Sequence, residues 1–355
     1  MPEDDDRSRV LSYLGRLAPG TPLREGFERI LRGRTGALVV LGNSAGVHSL
    51  CTGGFPLDVP YSATALRELA KMDGAIVLTA DTERIVRAGV QLMPDPAIET
   101  VETGTRHRTA DRVARQTGVP VVSVSASMAT ISLYVDETRR VVEQSETILT
   151  KANQALQTLE RYRARLWEVT ARLSSLEVQD QVTVRDFAYL AQRLEMVSRL
   201  DAEVTAYVVE LGTDGRLLTL QLHDLGAGVA DLRDLLEQDY RPDDAGKPFG
   251  LDRLAELTTA ELLEPLGVAR TVGFTAYEQL DTKISTRGYR QISQINRLPM
   301  ALGVRLIEHF GSLQGLFGAS SAELQEVDGV GEQRARVIRE GLVRLAEAAY
   351  YEPVS

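Results

Sequence analysis

The sequence predicts an α/β N-terminal domain with a mixed central sheet flanked by helices, followed by an all-α spine of long helices and an all-α tail. Short apolar runs bounded by glycine alternate with helical segments as far as residue 143, a pattern typical of a buried sheet covered by helices. Glycine and proline are absent from residues 143–211, where leucines recur at helical spacing. Beyond residue 284, short helical segments alternate with turns that contain glycine or proline, and helices are predicted over residues 287–296, 301–310, 321–325 and 332–349. We therefore predict three domains, at residues 1–143, 144–284 and 285–355.

Composition and charge limit the possible classes of protein. The 355 residues are 43% apolar and 25% charged, which is typical of a globular protein with a sizeable core. With Cys51 as the only cysteine, no disulfide can form within the chain, and no apolar run reaches the ~20 residues that cross a bilayer. The N-terminus is acidic and unlike a signal peptide. We therefore expect a cytoplasmic protein with no membrane partner.

The net charge of −10 argues against a protein coated in nucleic-acid-binding surface. The charge is uneven, however, because residues 285–355 carry eight arginines and eight acids and no lysine. The first 284 residues therefore carry the whole negative charge. A neutral tail can bind phosphates locally, but it cannot attract nucleic acid over a long range.

The N-terminal elements are predicted in order. Helical residues within 8–32 are interrupted at Pro19-Gly20-Thr21-Pro22. The segment from Ser62 to Lys71 is predicted as a short helix. Buried or alternating apolar runs predict strands at residues 36–42, 75–79, 84–90 and 119–125, and a hairpin that pairs residues 131–135 with 139–142.

The middle third is predicted to be helical. One helix fills the stretch after Glu143, and Thr183-x-x-Asp186 forms a capping box that starts a second helix ending near Leu211. A turn at residues 212–215 is followed by a predicted helix over residues 217–238, and residues 239–250 read as a linker.

The stretch from Gly104 to Arg112 is the strongest candidate for a binding site. It precedes a predicted helix over residues 111–116, which Thr105 or Thr109 can cap. Arg106 and Arg108 then lie near the positive end of the helix dipole, where cations are disfavoured unless an anion is bound. Free amides, threonine hydroxyls and two guanidinium groups would form a polyphosphate site. The alternative is that both arginines point into water.

Asp73 and Gly74 form a second candidate site, between a predicted helix and a predicted strand. Opposite an arginine-rich phosphate site, the carboxylate of Asp73 could hold Mg²⁺ or Mn²⁺ for nucleotidyl transfer. Gly74 would let a base or ribose approach the main chain. The alternative is an ordinary Asp-Gly turn, since spacing alone does not bring Asp73 next to Arg106.

The tail contains the pattern Val327-Asp328-Gly329-Val330-Gly331-Glu332-Gln333-Arg334-Ala335, which is typical of a helix-hairpin-helix module. In such a turn the glycines let the backbone approach a phosphate, so the contact reads the DNA backbone and not its bases. The predicted DNA-binding residues are Gly329, Val330, Gly331, Arg334 and Arg336. The alternative is a glycine turn between two packed helices. A second candidate, residues 297–303, lacks the Gly-x-Gly turn, so the tail departs from a tandem pair of hairpins.

Asp73-Gly74-Ala75 and Arg106-His107-Arg108 resemble the two signature motifs of the diadenylate cyclase domain. With the segments 19–26, 35–42 and 104–110, the helical spine and the tail, the whole chain resembles the bacterial DNA-integrity-scanning diadenylate cyclases. The resemblance implies that two ATP are condensed into cyclic di-AMP, with Asp73 on the metal and Arg106 and Arg108 on the phosphates. It also implies ATP contacts by Gly74, Leu92, Thr105, His107, Thr109 and Ser125.

The same resemblance implies a homo-octamer with face-to-face cyclase domains, a nucleoid-associated location, and tails that engage branched DNA and thereby reduce cyclase output. Two other functions remain open. One is a non-catalytic DNA-binding or repair scaffold with an inert nucleotide pocket. The other is a DNA nuclease, which would need several clustered carboxylates for two metals, whereas only Asp73 stands out.

Overall fold

A computed structural model describes residues 2–242, 248–274 and 279–351. The chain divides into two compact units, Met1–Gln154 with Val204–Gln221 and Ala155–Glu203 with Leu222–Ser355. The three-domain division expected from the sequence remains a prediction. Across the described ranges, no helix combines the length and the apolar character that crossing a membrane requires.

The first unit contains a mixed sheet with helices on both faces, as the sequence predicts. The helices that cover this sheet are α1 (Pro2–Arg16), α2 (Pro22–Arg32), α3 (Ala45–Leu50), α4 (Ala63–Leu69) and α5 (Thr105–Thr117). Its strands are β1 (Ala37–Leu41), β2 (Cys51–Thr52), β3 (Phe55–Pro60), β4 (Ala75–Leu78), β5 (Arg84–Leu92), β6 (Val121–Ser125), β7 (Thr130–Val135) and β8 (Thr138–Val141).

The strands are ordered β2-β5-β4-β1-β6-β7-β8, and β3 pairs with β5 outside this path. Only the central pair β1 and β4 is parallel, with Leu38 opposite Ala75. The other neighbours are antiparallel, including β1 with β6 and β4 with β5. The sheet is therefore mixed.

Alternate residues of each central strand face two separate cores. Val39 and Leu41 pack in one cluster with side chains of α1, α2 and α4, including Phe27. Leu38 and Val40 pack in the other cluster with side chains of α3 and α5. Because both faces are covered, the central strands are apolar throughout their length, which is why they were recognisable in the sequence.

Most predicted elements of this unit are confirmed. Thr21 accepts a hydrogen bond from the amide of Arg24 (3.2 Å), and Pro22 occupies the first turn, so the helix break falls where it was predicted. Ser62 caps α4 in the same way through the amide of Ala65 (3.1 Å). The helix α3 and the strands β2 and β3 were not predicted; they are short, and the Gly53-Gly54 turn separates β2 from β3.

Two long helices and their successors follow along the chain. They are α6 (Ser145–Val178), α7 (Val184–Leu211), α8 (Arg216–Gly226), α9 (Val229–Tyr240), α10 (Thr259–Leu262) and α11 (Pro265–Val272). The capping box at the start of α7 is confirmed, since the amide of Thr183 donates to the Asp186 carboxylate (3.0 Å). The predicted continuous helix over residues 217–238 is wrong, because it breaks between Gly226 and Gly228, which has φ +79. Of the predicted linker 239–250, residues 243–247 lie outside the described residues.

The tail is all-α, as predicted. Its helices are α12 (Tyr289–Ile292), α13 (Met300–Phe310), α14 (Leu313–Gly318), α15 (Ser321–Leu324) and α16 (Glu332–Tyr351). The predicted helix over residues 287–296 is shorter in the structure, and a turn with Arg297 at φ +65 follows it. The sequence analysis missed α14, which Ser312 caps through the amide of Gly315 (3.1 Å).

Candidate nucleotide-binding site

Most of the predicted residues of the nucleotide site lie at one edge of the sheet. The amino ends of the parallel strands β1 and β4 lie at this edge, and so do the carboxyl ends of β5 and β6, which run the other way. Asp73 and Gly74 directly precede β4. Leu92 ends β5, and Ser125 ends β6. Strand register therefore brings together residues that are far apart in sequence.

The helix α5 begins at Thr105, six residues before its predicted start. The prediction that Thr105 or Thr109 caps it is wrong. Gly104 occupies the N-cap position and no described side chain caps the helix, while the hydroxyl of Thr109 donates to the carbonyl of Thr105 (2.9 Å). The first amides of α5 are therefore left available for an anion, and Arg106 and Arg108 belong to its first turn.

Arg106 reaches the same edge of the sheet. A Cβ built on Gly36, the residue before β1, would lie 2.9 Å from the guanidinium carbon of Arg106 and 3.0 Å from the carbonyl oxygen of Val124. Since β1 is the direct neighbour of β4, the guanidinium of Arg106 lies one strand away from the position of Asp73. The sequence left this proximity open, and the fold provides it.

His107 faces the interior. It is 7% exposed, and its Nδ1 lies 2.7 Å from the hydroxyl of Tyr134 on β7. Burial, and next the charge of Arg139, lower the pKa of His107 below its ordinary value, so its ring is neutral at pH 7. The flanking residues Arg106 and Arg108 are both exposed, so the motif alternates between solvent and core.

Gly74 has a structural role at the edge. Its φ is +109, and a Cβ there would lie 2.6 Å from the carbonyl carbon of Gly89 and 2.9 Å from the amide nitrogen of Val90 on β5. Asp73 beside it is exposed. The backbone at Gly74 is therefore conformationally restricted just before β4, and the carboxylate of Asp73 beside it is exposed.

The remaining predicted residues of this site are also near the strand ends. Leu92 is 8% exposed and belongs to the core cluster beneath α5. The Oγ of Ser125 lies 3.3 Å from the Oγ of Ser127 and accepts from the amide of Met128 (3.4 Å), which ties it to the turn before β7.

Three of the predicted DNA-binding residues, Gly329, Val330 and Gly331, lie on the turn between α15 and α16, and Arg334 and Arg336 lie near the start of α16. Gly329 has φ +88, and its carbonyl accepts from Arg334 (2.7 Å). Val330 is a core residue whose amide donates to the carbonyl of Val327 (2.9 Å), whereas a Cβ on Gly331 would meet nothing within 4 Å. The exposed guanidinium of Arg336 pairs with Glu340 (3.1 Å).

Comparison with known proteins identifies the family. A family model described as the nucleotide-binding region of the DisA bacterial checkpoint controller matches residues 24–139, and a model of the DisA linker region matches residues 142–280. The DNA integrity scanning protein DisA of Streptomyces coelicolor is 58% identical over 96% of this chain and 92% of its own length. The protein of that name from Acidothermus cellulolyticus is 56% identical over 99% of this chain and 98% of its own length. The chain belongs to the DisA family.

Membership of the DisA family confirms the expected enzyme class, diadenylate cyclase. Among solved structures, DacA from Staphylococcus aureus is 22% identical over 40% of this chain and 92% of its own, with a TM-score of 0.30. At that score the likeness supports no conclusion about this chain.

Three further residues of this edge were not predicted from the sequence. Gly36 lies against Arg106, Gly89 has φ +65 and lies beside Asp73, and the hydroxyl of Tyr134 contacts His107. The sequence shows a glycine before a predicted strand at position 36. It does not show why a glycine is needed there, because that depends on the position of Arg106. The hydroxyl of Tyr134 was hidden in an apolar hairpin strand, where a tyrosine usually indicates packing.

The residues present also constrain any metal. Within residues 2–242, 248–274 and 279–351, no three His, Cys, Asp or Glu side chains converge on a possible metal position. Asp73 is an exposed carboxylate that makes no ion pair with another described residue. Mg²⁺ is commonly bound by one or two carboxylates together with substrate phosphates and water. Asp73 fits a metal of that kind and does not fit a site built from protein ligands alone.

Proposed function

We propose that this chain condenses two ATP into cyclic di-AMP and releases two pyrophosphates at the sheet edge described above. The observation that supports this most is the meeting of two elements at one edge. The guanidinium of Arg106 lies against Gly36, one strand away from the residue that carries the exposed carboxylate of Asp73. Phosphate neutralisation and metal binding are the two requirements of nucleotidyl transfer.

Each transfer has the same chemistry. The 3′-hydroxyl oxygen of one nucleotide bonds to the α-phosphorus of the other, the bond to the pyrophosphate oxygen breaks, and the hydroxyl proton is released. Arg106 and Arg108 neutralise the charge that develops on the leaving pyrophosphate. Asp73 holds Mg²⁺ or Mn²⁺, which when bound polarises the phosphates and the attacking hydroxyl.

The other residues of the site bind the nucleotide. Gly74 and Leu92 border it, and the uncapped first turn of α5 binds its phosphates through backbone amides. Thr105, His107, Thr109 and Ser125 complete the ATP site at the same edge.

A symmetric product requires two hydroxyls and two α-phosphates, and a twofold arrangement of two identical sites supplies both. We therefore propose that cyclase domains face each other in a homo-oligomer, an octamer by resemblance to the family. Light scattering measures the mass of the assembly and so tests the octamer. If cyclase domains must pair, the specific activity should fall when the protein is diluted below the concentration at which it assembles.

The proposed second function is DNA binding by the tail in the cytoplasm, near the nucleoid. The relatives named above are DNA integrity scanning proteins, and the amides of Gly329 and Gly331 have no partner within the described part of the chain. Branched DNA would contact this turn together with Arg334 and Arg336, and would reduce cyclase output. Cyclase rates with and without a four-way junction test that regulation.

The deciding experiment for catalysis is incubation of the protein with ATP and either Mg²⁺ or Mn²⁺, followed by chromatography for cyclic di-AMP and pyrophosphate. Asp73→Asn should abolish turnover, while Glu137→Gln, the same change at an exposed carboxylate in the β7–β8 turn, should not. Arg106→Ala and Arg108→Ala should each cost at least ~2 kcal/mol of transition-state stabilisation. Arg32→Ala is the control, since Arg32 is also exposed but lies at the end of α2 and not in the first turn of α5.

Two outcomes would contradict the proposal. Wild-type protein that binds DNA and forms no cyclic dinucleotide would favour the inert-pocket scaffold. Cleaved DNA with ATP left intact would favour a nuclease.

A further inference from the structure

The first turn of α5 contains an electrostatic conflict. Arg106 and Arg108 place two cations at the positive end of the helix dipole, and no described side chain caps the helix. Each of these features disfavours a helical first turn by a fraction of a kcal/mol or more. Some other interaction must hold the turn in place when no anion is bound.

The one inward-facing member of the motif supplies a candidate anchor. The Nδ1 of His107 lies 2.7 Å from the hydroxyl of Tyr134, a residue of β7 that is 1% exposed. Hydrogen bonds buried in this way are costly to break, because the separated partners cannot reach water. The bond therefore ties the first turn of α5 to the sheet.

The direction of this hydrogen bond follows from the other neighbours of Tyr134. Burial, and next the negative charge of Glu102, raise the pKa of Tyr134, so the phenol keeps its single proton. A nearby carboxylate attracts that proton more strongly than a neutral imidazole does. The phenol oxygen then accepts the proton on Nδ1 of His107, which leaves the lone pair of the neutral ring on Nε2.

Glu102 is itself fixed. Arg139 on β8 donates to both of its carboxylate oxygens (3.0 and 3.1 Å) and also to the hydroxyl of Ser132 (3.3 Å). The guanidinium lies 5.9 Å from the centre of the Tyr134 ring. The side chain of Glu102 is 10% exposed and that of Arg139 is 37% exposed, so the carboxylate is the shielded partner of this ion pair.

We propose that Tyr134, supported by Glu102 and Arg139, is a positioning residue for catalysis, which fixes the tautomer and orientation of His107 and thereby holds Arg106 and Arg108 at the phosphate site. The proposal rests on the proposed cyclase activity of the same edge. The charged and titratable groups around His107 and Tyr134 are Arg139, Glu102, Arg106 and Asp111. None of the four offers another hydrogen bond to the imidazole within the described residues.

Tyr134→Phe tests the proposal, because it removes one hydroxyl and keeps the ring. We expect kcat to fall at least about ten-fold while the KM for ATP changes less than about three-fold, since the arginines act mainly on charge that develops in the transition state. Ser123→Ala is the matched control. It removes a fully buried hydroxyl from the same sheet, one with no hydrogen-bond partner among the described residues, and should leave kcat unchanged.

A second readout is independent of catalysis. Deuterium exchange at the imidazole C2 position, followed by mass spectrometry of the full-length protein, gives the pKa of each of the four histidines. Loss of the Tyr134 acceptor should lower the pKa of His107 further, because a hydrogen-bond acceptor stabilises the imidazolium more than the neutral ring. The other three histidines should be unaffected.

The outcomes separate this proposal from the cyclase proposal. A wild-type protein without cyclase activity refutes the proposed function, and the exchange measurement still decides whether the His107–Tyr134 bond exists. Tyr134→Phe with kcat within about two-fold of Ser123→Ala overturns the positioning role. If Tyr134→Phe does not fold, Glu102→Gln serves in its place, and unchanged kcat and an unchanged His107 midpoint in that variant overturn the role equally.

Discussion

The guanidinium of Arg106 occupies the space that a Cβ on Gly36 would need. Gly36 ends the turn before β1, so an arginine from the first turn of α5 can lie across the amino end of that strand. The contact places one motif at the start of β1, the strand next to β4, which the other motif precedes. It also makes Gly36 a residue of the site, although it carries no functional group.

Gly36→Ala should therefore displace Arg106 and lower cyclase activity. The alanine Cβ would lie 3.0 Å from the carbonyl of Val124, which is backbone and cannot yield, so the arginine must move. We expect a loss comparable to that of Arg106→Ala, at least ~2 kcal/mol in kcat/KM. Gly46→Ala, which makes only ordinary contacts at 3.7 Å and beyond, is the control. Equal activity of the two variants would contradict the displacement.

Gly74→Ala should destabilise the protein even without nucleotide. An alanine at φ +109 is strained by ~1–3 kcal/mol, and its Cβ would lie 2.6 Å from Gly89, within the backbone of the neighbouring strand. Urea unfolding followed by circular dichroism measures the effect, with Asp73→Asn as the control that leaves the backbone unchanged. An unfolding free energy within ~0.5 kcal/mol of wild type would refute the strain, and lost activity could then be assigned to nucleotide contact alone.

The central strands were predictable because they are buried on both faces and bounded by glycine, so composition alone reveals them. The start of α5 was not predictable, since Gly104 is a weak N-cap residue and Thr105 looked like a better one. A tertiary contact favours the earlier start of α5. His107 packs inward against Tyr134, and the residues before it are helical as a result.

The site shows the same division between local and tertiary information. Asp73 and Arg106 could be chosen by residue type and motif, but their common edge depends on the parallel pairing of β1 with β4, which no local pattern specifies. Gly226 and Gly228, by contrast, are a local indication of a helix break. The helical spacing of the leucines on either side nevertheless led to the prediction of one continuous helix.

The ion pair of Glu177 and Arg290 should make a large contribution to the stability of the second unit. Both side chains are almost fully buried. Glu177 also accepts hydrogen bonds from the hydroxyl of Tyr240 (2.6 Å) and from the side-chain amide of Gln291 (2.6 Å). Arg290→Met leaves the carboxylate without its cation and should cost ~3–5 kcal/mol of unfolding free energy.

The double variant Glu177→Leu with Arg290→Met is the control for that prediction. It removes both charges, so it should be more stable than the sum of the two single changes implies. Urea unfolding of the four proteins gives the coupling energy. Additive effects within ~0.5 kcal/mol would show that the pair contributes no net interaction.

Cys51 should react slowly with thiol reagents in the folded protein. Burial raises the pKa of its thiol, an effect only partly offset by Arg87, and the thiol donates to the carbonyl of Val47 (3.2 Å). Because the thiolate is the reactive form, a raised pKa lowers its fraction at pH 7.5 and moves the rise in rate to higher pH. Alkylation by iodoacetamide should be at least ten-fold slower than after unfolding in urea. Cys51→Ala, which has no cysteine, gives the background.

Removal of one acid from α16 should strengthen DNA binding. The guanidinium of Arg336 is 82% exposed but paired with Glu340, so a phosphate must compete with a carboxylate. An exposed helical pair of this kind is worth only ~0.3–0.5 kcal/mol, so Glu340→Gln should raise affinity for a four-way junction about two-fold or more at low salt.

Arg336→Ala should lower the affinity for the junction and reduce the slope of log K against log salt by about one. Arg344→Ala, on the same helix but two turns away, is the control, and an equal loss there would mean that the tail binds DNA by general charge and not through the glycine turn.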